Sequence, residues 1–309
     1  MHNNKDKTIL VVDDEMEIRS LITDYLRDVE QYTVIEAENG QDALELLEKK
    51  HADLILSDIN MPGMKGFDLL QHVRENYPEM KRILITAYNV EEYLELAYKY
   101  DIGNIFVKTT PFNFDELSAI LNTLLTNNIF GIDHFFGADA SFMNIKINSP
   151  KKLEQYTGSL VAFIGDESIS RKLELVLVEL LTNAIFYGIR HESPENKELW
   201  NHDFVLSDDE AVIVTIGKDD EKFAISINDN GGNLKKKDVL YWLHRQIAQD
   251  DDGLPLGLYD SHGRGLFITR KYIDRLIINI DRSRRTEIII INYFNNEYIG
   301  YKPLCINEL

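Results

Sequence analysis

The sequence predicts an α/β protein in two parts: a doubly wound, five-stranded parallel sheet over residues 5–127, and an α+β sandwich over residues 142–300, with a junction at 128–141. Two observations carry this. From Thr8 to about Asn127, short apolar runs alternate five times with stretches of helical spacing, the pattern of strands paired in parallel through crossover helices. From Phe142 onward, strand-like runs follow one another directly, which implies antiparallel pairing with helices on one face.

In the first part, "TILVVDD" is an apolar run ending in acids and "EIRSLITDYLRDV" is amphipathic. "YTVIEA" with "QDALELLEKK" repeats the pair, as does "ADLILSD" with "KGFDLLQHVRENY". "RILITA" with "EEYLELAYKY", and "NIFVK" with "FDELSAILNTLL", complete the five. The junction "NNIFGIDHFFGADA" has two glycines and no long polar tract, so it reads as a short, partly packed linker in which His134 is structural or on the surface. In the second part, "FMNIKI", "AVIVTIG", "KFAISIND", "RLIINID" and "TEIIIINYF" are strands. "KKLEQYTGSLVAFIG", "SRKLELVLVELLTNAIFYGI" and "GLFITRKYIDRL" are helices.

A chain of 309 residues fits about two domains of roughly 150 residues each, and a 44% hydrophobic content supplies two cores. The net charge is −19; residues 1–128 hold 12 basic and 24 acidic side chains, residues 129–309 hold 21 and 28. Such a chain repels nucleic acid, whose binding runs on phosphate neutralisation by Lys and Arg. The runs "KKK" (235–237) and "RSRR" (282–285) read as solvated surface. No apolar run approaches the ~20 residues that span a bilayer. A single cysteine, Cys305, fits a reducing compartment. With no leader-like N-terminus, the expectation is cytoplasmic, with neither membrane nor nucleic acid as partner.

Open parallel sheets bind ligands at the carboxyl ends of their strands. Asp13, Asp14, Asp58, Thr86 and Lys108 fall at those ends. Crowded acids raise one another's pKa; a divalent cation such as Mg²⁺ and the Lys108 ammonium would offset the repulsion. "ILVVDDE", "DLILSDINMPGMKGFDLL", "ILITAYN" and "NIFVKTTPF" resemble the receiver domain of two-component response regulators. The resemblance implies that Asp58 accepts a phosphoryl group from an upstream histidine kinase. It also implies Mg²⁺ held by Asp13, Asp14, Asp58 and the Asn60 carbonyl, with Thr86 and Lys108 on the phosphoryl oxygens. Two departures stand out. The usual Lys-Pro pair is here Lys108-Thr109-Thr110-Pro111. The position of the family's usual switch aromatic, three residues before the lysine, holds Ile105, and Phe106 alternates to the other face.

In "VLVELLTNAIFYG" (176–188), Glu179 and Asn183 stand four apart on one helix face. The pair alone fits a ligand site or a polar stripe at the edge of a core helix equally well. Asp229 ends a strand before Gly231-Gly232, and "SHGRGLFITR" opens a helix at Gly263 to Leu266, where free N–H groups favour phosphate. "RQIAQDDDGLPLGLYD" has the composition of a mobile lid, while the polar insert 190–210 has no motif, and its Trp200 is a candidate anchor for the insert or for a partner.

Together these stretches resemble the GHKL (Bergerat) ATP-binding fold, closest to the anti-sigma-factor serine kinases of partner-switching systems. The resemblance implies ATP and Mg²⁺ as ligands: Asn183 on the metal, Glu179 as general base, Asp229 on the adenine amine, Gly231 and Gly232 near the base, and Gly263, Arg264, Gly265 and Leu266 around the phosphates. Asp229-Asn230-Gly231-Gly232-Asn233 departs from the usual Asp-x-Gly-x-Gly. The expected function is a response regulator controlling a serine/threonine kinase that acts on an anti-sigma antagonist, with a sigma factor as second client. The alternative is an ATP-binding, non-catalytic switch that sequesters such a partner. Phosphorylation would act through the contact between the halves or a homodimer.

Overall fold

The computed structural model describes residues 6–192, 200–249, 256, 263–294 and 300–309. The chain divides into two compact units, one of Met1–Ile129 with Ile299–Leu304, the other of Phe130–Tyr298 with Cys305–Leu309.

The first unit alternates β1 (Thr8–Val12), α1 (Met16–Asp24), β2 (Thr33–Ala37), α2 (Gly40–Leu47), β3 (Leu54–Asp58), α3 (Gly66–Asn76), β4 (Lys81–Thr86), α4 (Leu94–Tyr100), β5 (Asn104–Val107) and α5 (Phe114–Thr126). The strands pair in parallel in the order β2-β1-β3-β4-β5. Strand β3, "LILSD", is buried at every residue, as a strand covered on both faces requires. Two of the unit's helices, α2 and α5, start where a short polar side chain replaces a missing intrahelical bond. Asn113 accepts from the Glu116 N–H at 3.0 Å and donates back to the Glu116 carboxylate at 3.3 Å, a reciprocal cap that fixes the start of α5. Asn39 caps α2 on the Asp42 N–H.

In the second unit β6 (Ser141–Ile147) is followed by α6 (Leu153–Ile164) and α7 (Ser170–Thr182), then β7 (Val212–Lys218), β8 (Lys222–Asp229), α8 (Lys236–Arg245), α9 (Arg264–Tyr272), β9 (Arg275–Asp281), β10 (Arg285–Tyr293) and β11 (Leu304–Glu308). Strand order is β11-β9-β10-β8-β7-β6. All neighbours are antiparallel except β11 with β9. Hydropathy left α8 and β11 unassigned: α8 opens on a lysine run, and β11 is five residues long. "GLFITRKYIDRL" stops being helical at Tyr272, because Arg275 and Leu276 pair in β9.

Two details bear on the site. Residues Asn183–Ile189 continue α7 as a π-helix, a wider turn that is uncommon and concentrated at functional sites. Of the two roles open to Trp200, the ring takes the one within the chain: it stacks on Phe186 at 4.4 Å and meets Tyr187 edge-on at 5.1 Å. No helix among the described residues is long and apolar enough to cross a membrane.

Candidate functional sites

The ends of β1, β3, β4 and β5 bring the first set of polar residues together. Lys108, just past β5, places its ammonium 2.8 Å from Asp13 Oδ2 and 2.6 Å from Asp58 Oδ1. All three side chains are almost fully buried. Asp13 Oδ1 accepts from the Glu15 N–H at 3.0 Å, and Asp58 Oδ2 from the Asn60 N–H at 2.6 Å. Thr86 closes β4 beside them, its carbonyl accepting from the Lys108 N–H at 2.8 Å. Burial pushes the Asp13 carboxyl above the usual range, against the pull of Lys108. Burial opposes the charge on Lys108, yet Asp58 and Asp13 outweigh it and hold the ammonium above its ordinary value.

Asp14 is exposed at the rim. The donors are hard oxygens, which suits Mg²⁺. Among the described residues no three Asp, Glu, His or Cys side chains stand together as a ready metal cage, and the Lys108 ammonium bridges Asp13 and Asp58. A cation there has to share those oxygens with Lys108. The residues fit Mg²⁺ on that condition.

Sequence reasoning missed Gly66. A β-carbon there would lie 2.2 Å from the Asp58 carbonyl oxygen, so only glycine lets α3 approach the end of β3. Ile105 and Phe106 are both buried; the Phe106 ring faces Phe112 at 5.6 Å. The Thr110–Pro111 peptide is cis.

The second set lines one cavity of about 560 Å³ in the second unit. Glu179 and Asn183 form part of its wall with Gly263, Arg264, Gly265 and Leu266. Glu179 and Asn183 are half-buried, because the helix face they share borders the cavity and not the core. At Gly265 a β-carbon would stand 3.2 Å from Glu179 Oε2 and 3.3 Å from Asn183 Nδ2, so the first turn of α9 lies against this pair. Gly263 takes φ +81° at the start of α9, against the Trp242 ring.

Asp229, 5% exposed, forms another wall. Burial pushes its carboxyl up to about 7, although the N–H groups of Gly231 and Gly232 pull it down. Gly231 and Gly232 are not part of the cavity lining. Instead Gly231 donates to Asp229 Oδ1 at 3.0 Å and packs on Gly188, whose carbonyl a β-carbon would overlap at 1.8 Å. Gly232 turns the chain at φ +58°.

Gly188, Trp242 and Thr286 escaped the sequence reading. Thr286 is the cross-strand neighbour of Asp229, and its buried hydroxyl has no hydrogen-bond partner. Strand register would have found it, but register is not visible in one strand. Most of the lid stretch, 250–255 and 257–262, lies outside the described residues.

The first unit is a doubly wound parallel α/β domain with a lysine bridging two strand-end aspartates. The model of the response regulator receiver domain matches residues 9–122. Chemotaxis protein CheY-3 of Vibrio cholerae is 34% identical over 123 residues, 39% of this chain and 93% of that protein. The autoinducer 1 sensor kinase/phosphatase LuxN of Vibrio campbellii is 32% identical over 126 residues, 41% of this chain. The DNA-binding transcriptional regulator NtrC of Escherichia coli is 27% identical over 194 residues, 63% of this chain. The chain spans only 14% of LuxN and 37% of NtrC. It belongs to the response regulator family, with a receiver domain in its first unit.

Proposed function

We propose that this chain is a phosphorylation-controlled regulator whose second unit binds ATP with Mg²⁺ and transfers the γ-phosphoryl group to a serine or threonine of a partner protein. The observation that supports it is the single cavity gathering Glu179, Asn183, Asp229 and the first turn of α9. An acceptor for an exocyclic amine, a hard oxygen for a cation, a carboxylate base and a helix N-terminus are the groups that an adenine nucleotide needs. Among the described residues of the lining, Arg264 is the one cation, beside the carboxylates Glu179, Glu192, Asp229 and Asp238. A triphosphate therefore enters with its counter-cation.

In the first unit Asp58 would attack the phosphorus of an upstream kinase's phosphohistidine. The P–O bond forms as the P–N bond breaks and imidazole leaves. Mg²⁺ held by Asp13, Asp14, Asp58 and the Asn60 carbonyl would supply positive charge to the transferring group. Lys108 and Thr86 would hold the phosphoryl oxygens.

In the second unit Asp229 would orient the base and Asn183 the cation. Glu179 would take the hydroxyl proton of the partner's serine or threonine as its oxygen bonds to the γ-phosphorus and ADP leaves. The partner class is an anti-sigma antagonist, with a sigma factor as second client. The displaced last glycine of the Asp-x-Gly-x-Gly pattern, at Gly232-Asn233, favours a second reading in which the nucleotide is held without transfer and the partner is sequestered.

The test offers γ-labelled ATP and Mg²⁺ to candidate antagonists. Label on the partner, lost in Glu179→Ala, supports the kinase; control of the partner that survives Glu179→Ala supports sequestration. Calorimetry that finds no ATP bound at millimolar concentration, with Asn183→Ala no different, removes both.

A further inference from the structure

Strand β10 reads RTEIIIINY, and its one acid, Glu287, is 2% exposed. Thr286 and Ile288 on either side line the cavity, so Glu287 points to the opposite face of the sheet. There its nearest same-face neighbours along β10 are Arg285 and Ile289, and its cross-strand partners are Asn228 and Asn279. The buried carboxylate is fully engaged. Ser226 Oγ donates to Oε1, Asn279 Nδ2 donates to Oε2 at 3.0 Å, and the Gly131 N–H donates to both oxygens at 3.1 and 3.0 Å. Burial pushes this carboxyl above the usual range, and those donors counter it.

Gly131 belongs to the junction, not to the sheet. It adopts φ +94°, a conformation that suits glycine and holds its N–H on Glu287. The rest of the junction follows β10 along the same face. Phe130 lies under Arg285, at one end of the strand, with the guanidinium 3.5 Å from the ring centroid. At the other end, where Arg275 and Lys222 pair beside Ile291 and Tyr293, Arg275 sits 5.6 Å from the Phe135 ring and Lys222 5.6 Å from Phe136. The expected linker is a strap pinned at both ends, with its backbone hydrogen bond to Glu287 one residue past the first pin. Only residues 127–129 separate it from the end of α5 in the receiver.

We infer that the strap Phe130–Phe136, latched on Glu287, is the element through which the receiver controls the cavity. Residues that hold the strap and residues that line the cavity alternate along a single strand, so release at Glu287 changes what positions Thr286 and Ile288. One cation–π pair at the Phe130 end, two at the Phe135–Phe136 end and one charged acceptor on Gly131 give a device with two discrete states, latched and released, as coupling between separate sites requires. The part about the cavity rests on the nucleotide reading above; the latch itself does not.

The experiment uses the full chain with Mg²⁺ and beryllofluoride as the probe of the phosphorylated receiver, read by amide exchange at Gly131 and by ATP calorimetry. We expect beryllofluoride to speed exchange at Gly131 at least tenfold and to change the ATP dissociation constant at least fivefold. Glu287→Gln and Glu287→Ala are expected to speed Gly131 exchange without the probe and to bring the fivefold ratio to within twofold of one. Unchanged Gly131 exchange in the wild type overturns the inference whatever the variants do, so a variant that fails to fold leaves the test intact. A ratio that persists in folded Glu287→Ala also overturns it. Faster exchange at Gly131 with no ATP bound in any form keeps the latch and rejects the nucleotide reading instead.

Discussion

Lys108 holds Asp13 and Asp58 together with two contacts below 3 Å in a buried setting. Breaking a buried pair by removing one partner costs about 3–5 kcal/mol. Lys108→Ala is expected to lower stability by that order at neutral pH in chemical denaturation, and to bind Mg²⁺ several-fold more tightly, since no ammonium then competes for the carboxylates. Weaker Mg²⁺ binding in the variant would mean that the ammonium and the cation do not share the site.

Asp229 gives a pH signature of definite sign. Its carboxyl is raised from 3.8 to about 7 in the folded protein, so between those values the folded state binds more protons than the unfolded chain. Stability therefore falls as pH rises through that window. Three pKa units correspond to about 4 kcal/mol at most. Asp229→Asn removes this slope and raises the thermal midpoint at pH 8. It also removes the acceptor for an amine, so ATP affinity falls at least tenfold. In the wild type affinity rises with pH through about 7 as the carboxylate ionises.

At the scale of elements, helix starts and glycine contacts are the sensitive points. Asn113→Ala deletes both halves of the α5 cap and is expected to cost about 1 kcal/mol, read as a shift in the first unit's denaturation midpoint. Gly231→Ala drives a β-carbon into the Gly188 carbonyl. Overpacking of this kind costs about 1–3 kcal/mol. Because Gly188 and Asp229 both form cavity wall, the same variant should weaken ATP binding although residue 231 lines none of it. The π-helix Asn183–Ile189 carries Asn183, Tyr187 and Gly188 to the wall, and the Trp200 ring braces it from outside.

For the molecule as a whole, two units with their own apolar cores predict two ligand-dependent transitions. At one hundred times its dissociation constant, a ligand adds about 2.7 kcal/mol to the unit that holds it. Mg²⁺ with beryllofluoride is expected to raise one calorimetric transition and Mg²⁺ with ATP the other. A single transition moved equally by both would contradict this. The net charge of −19 adds a constraint: phosphorylation of Asp58 contributes about 1.5–2 further negative charges to an already acidic chain.

The local sequence determined the alternation of strands and helices in residues 8–126, the strand-end positions of Asp13, Asp58, Thr86 and Lys108, and the helix face shared by Glu179 and Asn183. Each follows from periodicities of two and 3.6 residues that one segment carries by itself. Tertiary structure alone decided that Gly66 must yield to the Asp58 carbonyl, that Thr286 stands beside Asp229, and that Gly131 is latched by Glu287. These depend on which residues of distant segments lie side by side. Strand register and close backbone approach set that, and neither is written in the hydropathy of one strand.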